Sequence, residues 1–191
     1  MAAFDDIMDV AKYQKGYVAT YQVPDVSSQI FVHHQNAKNL QRVLRGIYRA
    51  AVFPHEEGEE QIVAYLWSKE RGVLSHETAL ALHDLSDVLP KRTHITLPTQ
   101  DNPVRREIPS WLEVHFGEVP DADREWHDVV RVTTPRRTLR DVALDALDLD
   151  LLDQAIDQAK ARGLVGAEIE RELIHALITR NSVARVVRGG S

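Results

Sequence analysis

Three arginines, Arg42, Arg45 and Arg49, stand in the stretch NLQRVLRGIYR, with Lys38 just before it and no acid inside. Guanidinium groups neutralise phosphates and offer paired N–H donors to them, so a local excess of cations in a chain of formal net charge -6 is suited to a polyanion. Residues 1–54 carry six Lys/Arg (12, 15, 38, 42, 45, 49) against four acids (5, 6, 9, 25), a net of +2, which leaves -8 for the remainder. The two portions are suited to different partners. Arginines on an exposed hairpin also serve solubility and guard a sheet edge, and on the residues alone both roles stay open.

Histidine offers a second chemistry. Ser75-His76-Glu77 begins like the zinc-protease pattern HExxH, but position 80 is leucine, and His83 lies nearly two helical turns from His76. No metal is expected there; the stretch reads as Ser75 capping a helix with His76 and His83 at its surface. His33-His34 is a poor chelate because neighbouring side chains diverge on a helix; the pair could meet phosphate or bases from a helix in a DNA groove, or stand solvated or half-buried, and both readings stay open. Asp145, Asp148, Asp150 and Asp153 make an acidic cluster that could bind a cation or a basic partner, though such a run is more often a solvated helix junction. There is no GxSxG elbow, no GxxxxGK[ST] phosphate loop and no GxGxxG fingerprint. The chain has no cysteine, which removes disulfides, thiolate metal sites and a cysteine nucleophile. No catalytic residues and no cofactor are expected, and the chain does not read as an enzyme.

The elements that must position the arginines follow from periodicity. Residues 4–15 place Phe4, Ile7, Met8 and Ala11 at helical spacing before Gly16. VATYQV, 18–23, is expected as a second short helix, and Pro24-Asp25 as a turn. A third helix spans 27–39, with Asp25 or Ser27 as its cap. In LQRVLRGIYRAAVF the period changes to near-alternation on both sides of Leu44-Arg45-Gly46, the pattern of two strands and a tight turn. Helix, short helix, helix, hairpin is the order of a winged helix-turn-helix. The third helix would then offer Ser27, Ser28, Gln29, His33, Asn36 and Lys38 toward a groove, beside a wing carrying Arg42, Arg45 and Arg49.

Beyond the hairpin, helices are expected over 59–71 and through HETALALH, then strands over 93–97, 112–116 and 128–133, with the polar loop TQDNPVRREIPSW between the first two. Three helices close the chain: 136–147 with Pro135 in its first turn, 150–162 ending at Gly163, and 168–179. The tail RVVRGGS reads as frayed.

At 191 residues the chain can hold one core or two small ones. With 43 % hydrophobic and 27 % charged residues it belongs to the folding, globular class. The N-terminus MAAFDDIMDV is acidic where a signal peptide is basic, and no apolar run approaches the roughly 18 residues of a membrane span. A cytoplasmic protein without a membrane partner is expected.

Taken together, RVLRGIYR, VLSHETALALHDLSDVLPKRTHITLP and VVRVTTPRRTLRDVAL resemble the AbiEi-type antitoxins of bacterial abortive-infection (type IV) toxin-antitoxin systems, over roughly residues 39–165. The resemblance implies a winged helix-turn-helix whose wing is RVLRGIYR, followed by an α+β domain. It implies a transcriptional autorepressor that binds inverted repeats at its own promoter and counters an AbiEii-type nucleotidyltransferase toxin. Val-Pro-Asp-Val-Ser departs from the family's small-residue turn and Gly-Val-Ser. A related group joins the same front half to a nuclease domain; the Glu-x-Lys or Asp-x-Lys strand signature of that group is absent, which argues against cleavage.

The expected fold class is therefore α+β: a winged helix-turn-helix at 1–54, an α+β antitoxin domain with a small sheet and C-terminal helices at 60–185, and a tail at 186–191. The expected partners are operator DNA and the cognate toxin, opposed directly or indirectly, with the chain a monomer or weak dimer. The competing reading is a protein-interaction module that neutralises a partner by direct binding, without significant DNA binding.

Overall fold

A computed structural model describes residues 2–101, 107–145, 148–169 and 171–174. The protein is α+β, and its chain divides into two compact units. The first comprises the residues up to Gly72 together with Asp128–Val130; the second holds the rest. Among the described residues no helix is long and apolar enough to cross a membrane.

The first unit runs α1 (Ala2–Lys12), β1 (Tyr17–Ala19), a single 3-10 turn (Thr20–Gln22), α2 (Ser28–Asn36), β2 (Leu40–Leu44), β3 (Ile47–Ala50) and α3 (Glu59–Trp67). The three strands form one antiparallel sheet in the order β1-β3-β2. The expected helix over 18–23 is not there. Tyr17, Val18 and Ala19 pair with Arg49, Tyr48 and Ile47, and only Thr20–Gln22 coil into a helical turn. A β-branched residue beside an aromatic one gains more from a vacant sheet edge than from an isolated turn. Ile7, Ala11, Val18, Val23, Val26, Phe31, Leu40, Tyr48 and Ala50 make one core, in which the Phe31 and Tyr48 rings lie 4.8 Å apart. Burying such an aromatic contributes on the order of 2–3 kcal/mol. This core fixes α2 and the hairpin to each other.

The second unit carries a mixed five-stranded sheet in the order β6-β5-β4-β8-β7. Its strands are β4 (Val73–Leu74), β5 (Thr93–Leu97), β6 (Leu112–Phe116), β7 (Arg124–His127) and β8 (Val130–Thr133). Central β4 runs antiparallel to β5 and parallel to β8, while β5 and β6 are parallel, with Thr96 opposite His115 and His94 opposite Glu113. Helices α4 (His76–Leu82), α5 (Pro135–Leu144) and α6 (Leu149–Ala161) complete it. Leu80, Leu85, Leu139, Val142, Leu152, Ala155, Ile169 and Leu173 bury their apolar stripes together. Thr134 caps α5 by accepting from the Arg137 N–H at 3.4 Å, with Pro135 in the first turn; Asp148 does the same for α6 through Asp150. Of the helix expected over 168–179, positions 168–169 and 171–174 are helical. The rest of it, part of the loop 99–111 and the tail lie outside the described residues.

Candidate functional site

In the first unit, α2 follows the chain reversal at Pro24-Asp25 and presents Ser28, Gln29, His33 and Asn36 to solvent, with Ser27 exposed at its cap position. Phe31 turns inward at 1 % exposure. Lys38, exposed and held at φ 61°, occupies the reversal into β2. On the hairpin, Arg42 and Arg45 are exposed, and Gly46 supplies the positive φ of 78° that the two-residue turn Arg45-Gly46 requires. Eight of the nine residues expected to meet DNA thus stand on the open surface of two elements packed on one core. His34, the neighbour of His33, instead stacks on Phe4 at 3.7 Å and accepts from Asn39 Nδ2 at 3.1 Å.

Arg49 is the exception. It points to the other side of β3 and is 5 % exposed. Its Nη2 donates to the Phe53 carbonyl at 2.6 Å, and its Nε lies 3.7 Å from Glu59. Glu59 also bonds Tyr17, whose hydroxyl is pushed well above its ordinary range by burial and then by this carboxylate. β3 lies between β1 and β2 and is buried at all four of its positions, whereas edge strand β2 is exposed from Gln41 to Val43, so Arg49 is enclosed and its charge serves the unit's own packing.

The second unit holds a cluster that the chain's linear spacing hides. His76 opens α4, His94 sits on β5 and His115 on the neighbouring β6, and one nitrogen from each lies within 4.8 Å of the others. The His76 and His115 rings stack at 3.6 Å, and His94 Nδ1 meets His115 Nε2 at 3.0 Å. Neither His76 nor His83 is a surface residue, contrary to expectation. His76 is 9 % exposed, and His83 Nε2 donates to the Thr133 carbonyl at 2.7 Å. Ser75 occupies the cap position of α4 but caps nothing with its hydroxyl, because Ser75 Oγ lies 2.9 Å from His76 Nδ1 and accepts from Thr96 Oγ1 at 2.8 Å. His76 takes φ 52°, an uncommon conformation for a residue with a β-carbon. Burial, then the two neighbouring imidazoles, push His76 down to about 3, and burial lowers His94 as well. Both shifts favour the neutral ring.

Beside these rings Arg137 donates to Asp141 Oδ1 at 2.8 Å and to Asp123 Oδ2 at 3.2 Å. Asp141 is 7 % exposed, its Oδ2 has no hydrogen-bond partner among the described residues, and burial pushes its carboxyl up against the pull of Arg137. Thr138 Oγ1 lies 2.7 Å from Thr133 Oγ1 and fixes the start of α5 to the end of β8. The sequence element VTTPRRTLRD is therefore a structural joint, and its arginine and aspartate reach toward the histidine cluster.

No family model and no curated protein matches the chain. Among solved structures it is similar to the RV2827C protein from Mycobacterium tuberculosis, with 12 % sequence identity and a TM-score of 0.46 over 94 % of this chain and 78 % of that one. A likeness of that size carries no argument about function.

Proposed function

We propose that the chain is a DNA-binding antitoxin: a transcriptional autorepressor that holds inverted repeats in its own promoter through its N-terminal unit, and that counters a nucleotidyltransferase toxin through the remainder. The observation that carries the DNA-binding half is the shared exposure of Ser27, Ser28, Gln29, His33, Asn36 and Lys38 with Arg42 and Arg45. Polar groups able to reach base edges stand on a helix, and cations able to neutralise phosphates stand on the hairpin packed beside it. The order helix, strand, helical turn, helix, hairpin supports reading the hairpin as the wing of a winged helix-turn-helix. The antitoxin half rests on the sequence resemblance. The chain is read as a cytoplasmic non-enzyme, a monomer or weak dimer that can bind cooperatively on repeats.

The test is a salt titration of binding to the DNA upstream of the chain's own reading frame. Arg45→Ala removes one phosphate contact, so the slope of log affinity against log salt is expected to fall by about one. An unchanged slope and affinity for both Arg45→Ala and Arg42→Ala would overturn the DNA-binding reading and favour an interaction module.

A further inference from the structure

We propose that His76, His94 and His115 form a binding site for a single zinc ion. Three separate elements deliver these imidazoles to one point, with ligating nitrogens within 4.8 Å of one another. Zinc held at about 2.1 Å by tetrahedral imidazoles sets its ligand nitrogens about 3.4 Å apart. His94 Nδ1 and His115 Nε2 already face each other at 3.0 Å, sharing one proton where an ion bridging them would replace it.

His83 shows what an ordinary buried histidine looks like in the same unit: its ring N–H is satisfied by a backbone carbonyl. The three clustered rings differ. Two of them spend a nitrogen on each other, and the third is tied through Nδ1 to a serine hydroxyl. That hydroxyl is a fitting outer partner for a metal ligand. With Nδ1–H donating to Ser75 Oγ, itself anchored by Thr96, His76 keeps the Nε2 lone pair free for an ion. His76, at φ 52°, rests with its ring stacked on His115, and a rotation about its Cβ–Cγ bond brings Nε2 toward an ion held by the other two rings.

Charge is compatible with a dication. Of the nearby cations, Arg137 is matched by Asp123 and Asp141 and Arg92 by Glu113, and Asp141 keeps one buried carboxylate oxygen without a hydrogen-bond partner among the described residues. Imidazole nitrogens without thiolates select a borderline ion such as zinc over magnesium or calcium, which want oxygen. Three protein ligands leave one coordination position for water or for a donor from a bound partner.

The test uses the full chain, stripped with a chelator and titrated with zinc sulfate, with cobalt(II) as a spectroscopic substitute. One equivalent of zinc is expected to bind, to shift the imidazole NMR signals of His76, His94 and His115 while leaving exposed His33 and His55 in place, and to raise the melting temperature. His94→Gln and His115→Gln are expected to lose at least tenfold in affinity, His55→Gln none. Ser75→Ala, which keeps all three ligands, is expected to lose about tenfold through the outer partner. Absence of stoichiometric uptake, or uptake that leaves the three resonances unmoved, overturns the proposal without recourse to any variant.

Discussion

Arg45 and Arg49 lie on one hairpin, four residues apart, and their surroundings assign them opposite work. Arg45 is exposed beside the turn glycine, whereas Arg49 is enclosed with the Phe53 carbonyl, Glu59 and Tyr17. Replacing Arg49 by alanine leaves the Phe53 carbonyl without its charged donor and part-exposed Glu59 with His55 and Tyr17, a loss of about 2 kcal/mol, that of a hydrogen bond to a charged group. Urea unfolding of Arg49→Ala is expected to show that loss, with the affinity of the folded molecules for DNA unchanged. Arg45→Ala is expected to lie within about 0.5 kcal/mol of the parent, as exposed substitutions do. Reversed results would exchange the two roles. The same contrast explains why the arginines were legible as a group but not one by one: composition and charge single out the cluster, while the enclosure of each depends on whether its strand is central or at the edge of the sheet. The histidine cluster was less legible still. Positions 76, 94 and 115 share no ligand spacing, and a usable signal existed only in that His94 and His115 each lie on a strand segment that alternation reveals. What alternation does not tell is that β5 and β6 are neighbours.

At the scale of elements, the reversal from α1 into β1 rests on Gly16. Its φ is 92°, and a β-carbon there would stand 2.7 Å from Phe53 Cβ. Gly16→Ala is therefore expected to cost at least about 2 kcal/mol, from backbone strain and from overpacking together. Gly46→Ala meets only Thr20 Oγ1 at 3.2 Å and is expected to cost less; melting temperatures of the two variants check the order. Elements with a strong internal pattern were readable from the residues: the hairpin, β5, β6, α5 with its proline, and α6. The strands that escaped reading, Tyr17–Ala19, Val73–Leu74 and Arg124–His127, are two to four residues long. Too short to show a period, each exists because a partner strand offers it hydrogen bonds, which is tertiary information.

For the whole molecule, the division of charge matters more than its sum. A net of +2 on residues 1–54 and -8 on the rest gives the first portion the charge suited to a polyanion and the other the opposite sign. Under the proposed function, a full chain carrying Arg42→Ala and Arg45→Ala together, co-expressed with the toxin gene that function calls for, is expected to lose repression of its own promoter while still restoring growth. Loss of both in a chain that remains folded would show that the two activities are not separable. Sheet order adds a consequence for how the protein is made. The three-stranded sheet is closed by residues 17 to 50, so its pairings are available once Ala50 has left the ribosome. Central β4, by contrast, pairs Leu74 with Val132 and must wait for that later segment to be synthesised. During translation the three-stranded sheet of the first unit is therefore ready first, and the second unit spends longer as an open sheet, exposed to proteases and in need of its own C-terminal half.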